Sequence, residues 1–133
     1  ALRLYPPAWI FERQNVEPDV LGGYSLKAGS VVGIAPYVLH RHPAYWESPE
    51  SFEPERFRAD RADKRPRYTY LPFGGGARTC IGNHFAMMEA QIILAMIVRQ
   101  ERLSLEPGRP IELEPLITLR PKQGVRVTRR SVL

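Results

Sequence analysis

The longest regular pattern in the chain lies between residues 83 and 101, where Phe85, Met88, Ile92, Ala95, Met96 and Arg99 recur at helical spacing. Ile93 and Ile97 add a second apolar flank, so the pattern predicts one long helix, buried nearly all round in its middle and closed by Glu101 and Arg102. The remaining pieces are short. Leu2-Arg3-Leu4-Tyr5 runs into Pro6 and Pro7 and reads as the last turn of a helix, because proline lacks the N–H that a continuing helix needs. Trp9 to Phe11 is an apolar run followed by Glu12 and Arg13, the mark of a strand leaving a core. Leu21-Gly22-Gly23-Tyr24 and Lys27-Ala28-Gly29 supply turn chemistry and predict a β hairpin over residues 16–36, with Ser30 to Ala35 as its best strand. Tyr37 to Arg41 fits one helical turn.

Residues 43–72 have little periodicity and hold Pro43, Pro49, Pro54, Pro66 and Pro72. Their aromatic density (Tyr45, Trp46, Phe52, Phe57, Tyr68, Tyr70, with Phe73 just beyond) demands burial and predicts an ordered meander, centred on 47–72, rather than disorder. After the helix, Leu103 to Leu105, Ile111 to Leu113, Ile117 to Leu119 and Val125 to Thr128 read as short strands between proline and glycine turns. The expected architecture is one long buried helix, an ordered meander and small antiparallel β elements.

Composition narrows the function. At 133 residues and 44% hydrophobic content the chain is long enough for a core. Its net charge of +5 comes from scattered residues. The densest group, Arg56, Arg58, Arg61, Lys64, Arg65 and Arg67, is broken by Glu55, Asp60 and Asp63, and no base-stacking module accompanies it, which argues against nucleic acid. A positive surface suits an acidic redox protein better. One cysteine excludes an internal disulfide and a zinc site of several thiolates. The apolar stretch Ile92 to Val98 is too short to span a bilayer and no signal peptide is legible, so the cytoplasm is the default location, with an anchor upstream of residue 1 left open.

The sharpest signal is Phe73-Gly74-Gly75-Gly76-Ala77-Arg78-Thr79-Cys80-Ile81-Gly82. It lacks the Gly-Lys-Ser/Thr ending of a phosphate loop and the strand and glycine spacing of a dinucleotide fingerprint. A glycine turn beside a buried structural thiol is the plainest alternative. A Cys80–His84 nucleophile pair is another, without a third group to orient it. Against both, Cys80 directly precedes the long helix, whose free N–H groups and positive end favour a thiolate. Gly76 and Gly82 leave room for a flat, bulky cofactor, and Arg78 can reach a carboxylate at its edge.

Phe73-x-x-Gly76-x-Arg78-x-Cys80-x-Gly82 resembles the haem-binding signature of the cytochrome P450 family. Leu2-Arg3-Leu4-Tyr5-Pro6-Pro7 resembles the end of that family's Glu-x-x-Arg helix, and Phe52-Glu53-Pro54-Glu55-Arg56-Phe57 its Pro-Glu-Arg-Phe segment. His40-Arg41-His42-Pro43 and Trp46 resemble the intervening stretch, with His42 in place of the more usual Asp. The resemblance implies that residues 1–133 are the C-terminal part of a single, mainly α cytochrome P450 domain. Its parts would be the end of the Glu-x-x-Arg helix, the hairpin, meander 47–72, Cys loop 73–82, helix 83–101 and C-terminal strands. The Glu of the first motif falls at a position preceding Ala1, which implies a longer parent chain carrying the distal half.

The same resemblance implies that Cys80 is the thiolate ligand of haem b and pushes electron density onto the iron. Phe73, Gly74, Ile81 and Gly82 would line the cofactor, Arg78 and Arg13 would pair with its propionates, and Arg3 and Arg56 would belong to a buried Glu-Arg-Arg network locking the Cys loop against the meander. His40 is expected to be mainly structural. Ala8, Trp9, Ile10, Leu116 and Ile117 fall where the family's substrate pocket is lined. The implied activity is monooxygenation of an apolar organic substrate with O2 and electrons from a ferredoxin or flavin reductase. A peroxide-using or isomerising relative, or a haem-binding or structural fragment without turnover, is the alternative.

Overall fold

The computed structural model describes residues 1–62 and 65–132. Residues 63 and 64 of the expected meander, which include Lys64 of the basic group, and Leu133 lie outside the described residues. The chain forms two compact units, Ala1–Pro72 and Phe73–Leu133.

The first unit opens on one turn, in which the Tyr5 N–H donates to the Ala1 carbonyl at 2.9 Å before Pro6 ends it. Strand β1 (Phe11–Gln14) then pairs antiparallel with β4 (Val31–Ile34), and between them β2 (Asp19–Leu21) pairs with β3 (Tyr24–Leu26). The predicted single hairpin is thus two ladders. Asn15 separates them: its Nδ2 donates to the carbonyls of Glu17 and Lys27 at 2.7 and 2.8 Å, closing the outer pair before the inner one starts. Gly22 and Gly23, at φ +59° and +88°, make the two-residue turn whose twist matches the inner strands. The expected strand at Trp9 begins later, at Phe11, because the Trp9 carbonyl instead accepts the Tyr37 N–H at 3.3 Å.

Helix α1 (Pro36–Leu39) starts on proline, whose fixed φ suits a first helical turn. The meander that follows is ordered, as expected, and also contains a 3-10 turn (Pro54–Phe57) and a short helix α2 (Ala59–Ala62). Its rings gather into one cluster. Trp46 lies 6.1 Å from Tyr70 and 6.3 Å from Phe57, and Phe57 lies 5.0 Å from Tyr70. Trp46 is 2% exposed, and Leu4, Pro6, Pro36, His40 and Thr69 are buried with it. This core is built from rings and prolines rather than from a stripe of aliphatics.

The second unit carries α3 (Asn83–Gln100), the helix that the apolar spacing predicts, ending one residue early because Glu101 is already extended and begins β5 (Glu101–Leu105). The expectation of burial is corrected: no residue of α3 is buried, and Phe85, Ile92, Ile93, Met96 and Ile97 are all exposed. Helical spacing reports apolar faces, but only partner surface buries them, and 133 residues do not supply it on both flanks. Strand β5 pairs with β8 (Val127–Ser131), and β6 (Leu113–Pro115) with β7 (Leu119–Pro121). Three of these strands lie about two residues beyond their predicted positions, because the apolar Leu116 and Ile117 occupy the tip of the β6–β7 hairpin. Cross-strand pairs fix its register, Arg120 to Glu114 at 2.8 Å and Lys122 to Glu112 at 3.4 Å.

Trp46 holds the meander's rings together, so Trp46→Ala in the complete chain is expected to cost about 3 kcal/mol or more of stability. Urea unfolding followed by circular dichroism measures this; a loss below about 1 kcal/mol would show that the ring cluster is not the core of the unit.

Candidate functional site

The Cys loop closes on itself. The Cys80 N–H donates to the Phe73 carbonyl at 2.9 Å, and between them Gly76–Arg78 form a 3-10 turn. Thr79 holds that turn with both its N–H and its hydroxyl on the Gly76 carbonyl, at 3.1 and 2.8 Å. Gly74 and Gly76 sit at φ +71° and +69°, a region that side-chain-bearing residues enter only with strain. Two of the three glycines are therefore favoured by the backbone path. Gly82, the N-cap of α3 at φ −85°, is not: a Cβ there would make only an ordinary contact with the Cys80 Sγ, at 3.9 Å.

Cys80 is exposed in this chain, so no described residue packs it as a structural thiol. Among the described residues no hydrogen bond joins His84 to Cys80; the backbone N–H of His84 donates to Asn83 Oδ1 at 2.6 Å, which leaves its imidazole uninvolved. The nucleophile pair therefore has no geometric support. Around the sulfur, Ala77, Arg78, Thr79 and Ile81 are all exposed, and a Cβ on Gly76 would meet nothing within 4 Å. Among the described residues no group of three or more His, Cys, Asp or Glu could hold a metal ion. A lone, open thiol with free space at Gly76 fits a metal-bearing cofactor that would take one sulfur from the protein. Haem meets that description.

The other expected site residues divide between the units. Arg13 lies exposed on β1, with its Nη1 on the Glu12 carbonyl at 2.7 Å and its guanidinium 4.9 Å from the Phe11 ring. Ala8, Trp9 and Ile10 precede the same strand. Leu116 and Ile117 are in the second unit, exposed at a hairpin tip, with Ile117 96% exposed. The structure brings Phe73, Gly74, Arg78, Cys80, Ile81 and Gly82 together in one loop and leaves Arg13 and the first three substrate candidates to the other unit.

Arg3 is 3% exposed and spends its guanidinium on backbone: Nη1 donates to the carbonyls of His40 and Pro49 at 2.9 and 2.6 Å, and Nη2 to that of Ser51 at 2.7 Å. It also lies 5.1 Å from the Trp46 ring. Burial holds its pKa below the ordinary range, and Arg56 and Arg41 add repulsion. Arg56 pairs with Glu53 at 2.8 Å and donates to the Ser48 carbonyl at 3.1 Å. A cavity of about 180 Å³ lies beside them, lined by Ala1, Arg3, Leu4, Phe52, Glu53 and neighbouring residues. Sequence reasoning undervalued Arg65, which lies 4.7 Å from the Phe57 ring and 5.4 Å from the Trp46 ring while donating to the Arg56 carbonyl. Part of the basic group is thus structural rather than a charged surface.

The chain matches the family described as Cytochrome P450 over residues 1–128. It belongs to the cytochrome P450 family. Among curated relatives, cyclooctatin synthase of Streptomyces melanosporofaciens is 49% identical over 119 residues, which is 90% of this chain and 26% of the synthase. Among solved structures, retinoic acid-bound cyanobacterial CYP120A1 superposes with a TM-score of 0.93 at 33% identity, over 98% of this chain and 30% of that one. The heme domain of cytochrome P450DA gives 0.91 at 29% identity, over 98% and 29% respectively. This P450 chain therefore spans between a quarter and a third of the relatives it matches, and its fold is that of part of a P450 heme domain. No helix among the described residues is long and apolar enough to cross a membrane.

The three carbonyls on Arg3 predict that Arg3→Leu costs about 3 kcal/mol, since all three lose their donor and that of His40 is left buried. Arg3→Lys is expected to recover little, because a single ammonium cannot reproduce the planar fork. Chemical denaturation of both variants checks this; full recovery by lysine would refute the role given to the fork.

Proposed function

We propose that the chain is the C-terminal part of a single cytochrome P450 domain, residues 1–133, and that the complete protein is a haem-thiolate monooxygenase. The observation that carries this reading is the open thiol of Cys80, held at the end of a glycine loop between a 3-10 turn and the start of a long helix. Cys80 would hold the haem iron through its sulfur, and the backbone tie from its N–H to Phe73 fixes where that sulfur sits. Arg78, exposed two residues earlier, would hold one propionate, and Arg13 another. Gly74 and Gly76 set the loop's path, while Phe73 and Ile81 would give apolar cover to the cofactor.

Haem b, when bound, supplies the oxygen activation and the insertion of one oxygen atom into the substrate. Ala8, Trp9, Ile10, Leu116 and Ile117 present apolar surface for an apolar organic substrate. The chain's excess of basic residues steers an acidic electron donor, a ferredoxin or a flavin reductase.

Reconstituting the complete protein with haem, then reducing it under CO, is expected to give the red-shifted Soret band of a thiolate ligand, and Cys80→Ala to abolish it. Survival of that band in Cys80→Ala would overturn the assignment. Residues 1–133 alone are expected to take up haem weakly and to melt without a cooperative transition, because α3 has no partner for its apolar flanks. Stoichiometric uptake with a sharp calorimetric melt would contradict this.

A further inference from the structure

We propose that His40 is a positioning residue whose neutral imidazole fixes the end of the meander, and with it the point from which the Cys loop departs, so that protonation of this one side chain releases the loop's anchor. His40 is wholly buried, and its Nε2 accepts the Leu71 N–H at 2.7 Å across 31 residues of chain. Leu71 stands two residues before Phe73, the residue whose carbonyl closes the Cys loop. His40 is itself held from several sides. Its N–H donates to the Pro36 carbonyl at 2.8 Å, its carbonyl accepts from Arg3, and its ring lies 5.1 Å from that of Tyr70 and 6.5 Å from that of Trp46. The backbone of His40 is thus held on both sides, and the rings of Tyr70 and Trp46 lie against its imidazole.

An acceptor nitrogen is one without a proton, so the bond exists only in the neutral form. The Nδ1 atom has no partner at hydrogen-bonding geometry; the backbone of Arg3 favours the charged form, and burial outweighs it. The charged and titratable groups around the ring are Arg3 from the first turn, Arg41 following α1, and Tyr70 from the meander. Both arginines oppose a third positive charge, and Arg41 is already committed to Glu50 at 3.1 Å. Burial, with these cations, lowers the imidazole from its ordinary 6.5 to about 4. Between those values the folded chain holds fewer protons than the unfolded one, so stability present above about 6.5 is lost progressively as the pH falls towards about 4. The Leu71 tie is lost with it, because a protonated Nε2 repels the N–H it formerly accepted.

The inference rests on the haem-thiolate reading only for its consequence at Cys80, and two readouts on the complete haem-loaded protein keep the parts separate. The first is hydrogen exchange at the Leu71 amide. The wild type is expected to be protected near neutral pH and to lose about tenfold in protection factor as the pH falls to about 4. His40→Phe, which keeps a ring but has no acceptor, should lack that protection at neutral pH. His40→Gln, whose amide oxygen stands in for Nε2 and does not titrate, should keep it at both. Equal protection in wild type and His40→Phe, or loss in His40→Gln over the same range as wild type, would overturn the proposal. Should His40→Phe not fold, the comparison of wild type with His40→Gln decides alone.

The second readout is the thiolate-type Soret band of the reduced CO complex, whose acid loss should move to lower pH in His40→Gln. An unmoved midpoint would count against the link from His40 to the Cys loop. If the wild type shows no such band at any pH, the reading of Cys80 fails, and the exchange data still decide the role of His40.

Discussion

The guanidinium of Arg3 is the fixed point of the first unit. It is a charge taken out of water, and it is tolerable only because three backbone carbonyls from two separate stretches, His40 on one side and Pro49 and Ser51 on the other, meet its planar fork. Those bonds draw the start of the meander onto the first turn of the chain. The Trp46 ring lies against the same guanidinium and extends the attachment to Tyr70 and Phe57. A meander without long helices or sheets cannot satisfy its own backbone, so donors must come from side chains. Arg3, Arg56 and Arg65 provide them.

His40 completes this arrangement at the meander's far end. It accepts from Leu71 while its own carbonyl accepts from Arg3, so one buried residue links the chain's first turn to the last residues before the Cys loop. Electrostatics and packing act in the same direction here. Burial, helped by the cations that hold the meander, favours the neutral imidazole, and neutrality is what makes it an acceptor.

In the second unit the constraint is backbone geometry. Gly74 and Gly76 take a path barred to other residues, which lets the Phe73 carbonyl reach the Cys80 N–H and sets the thiol at the mouth of α3. The apolar flanks of α3 lie open: a helix this apolar is made to be covered, and the P450 relatives are three to four times longer than this chain.

The order of residues by itself determined the family, the loop and the helix, because these depend on local spacing: the Phe-Gly-Arg-Cys-Gly pattern of residues 73–82 and the apolar repeat of residues 83–101. It also marked the glycine turns, since φ above zero favours glycine. Only the tertiary structure decided how the hairpin divides in two at Asn15, why β6 and β7 leave Ile117 at a tip, and that α3 is exposed within this chain. It also decided that Arg3 answers to carbonyls and that His40, read from sequence as one more structural histidine, carries the Leu71 tie. Those outcomes depend on which distant groups meet, and a side chain's partners across 31 or 48 residues leave no periodic mark in the sequence.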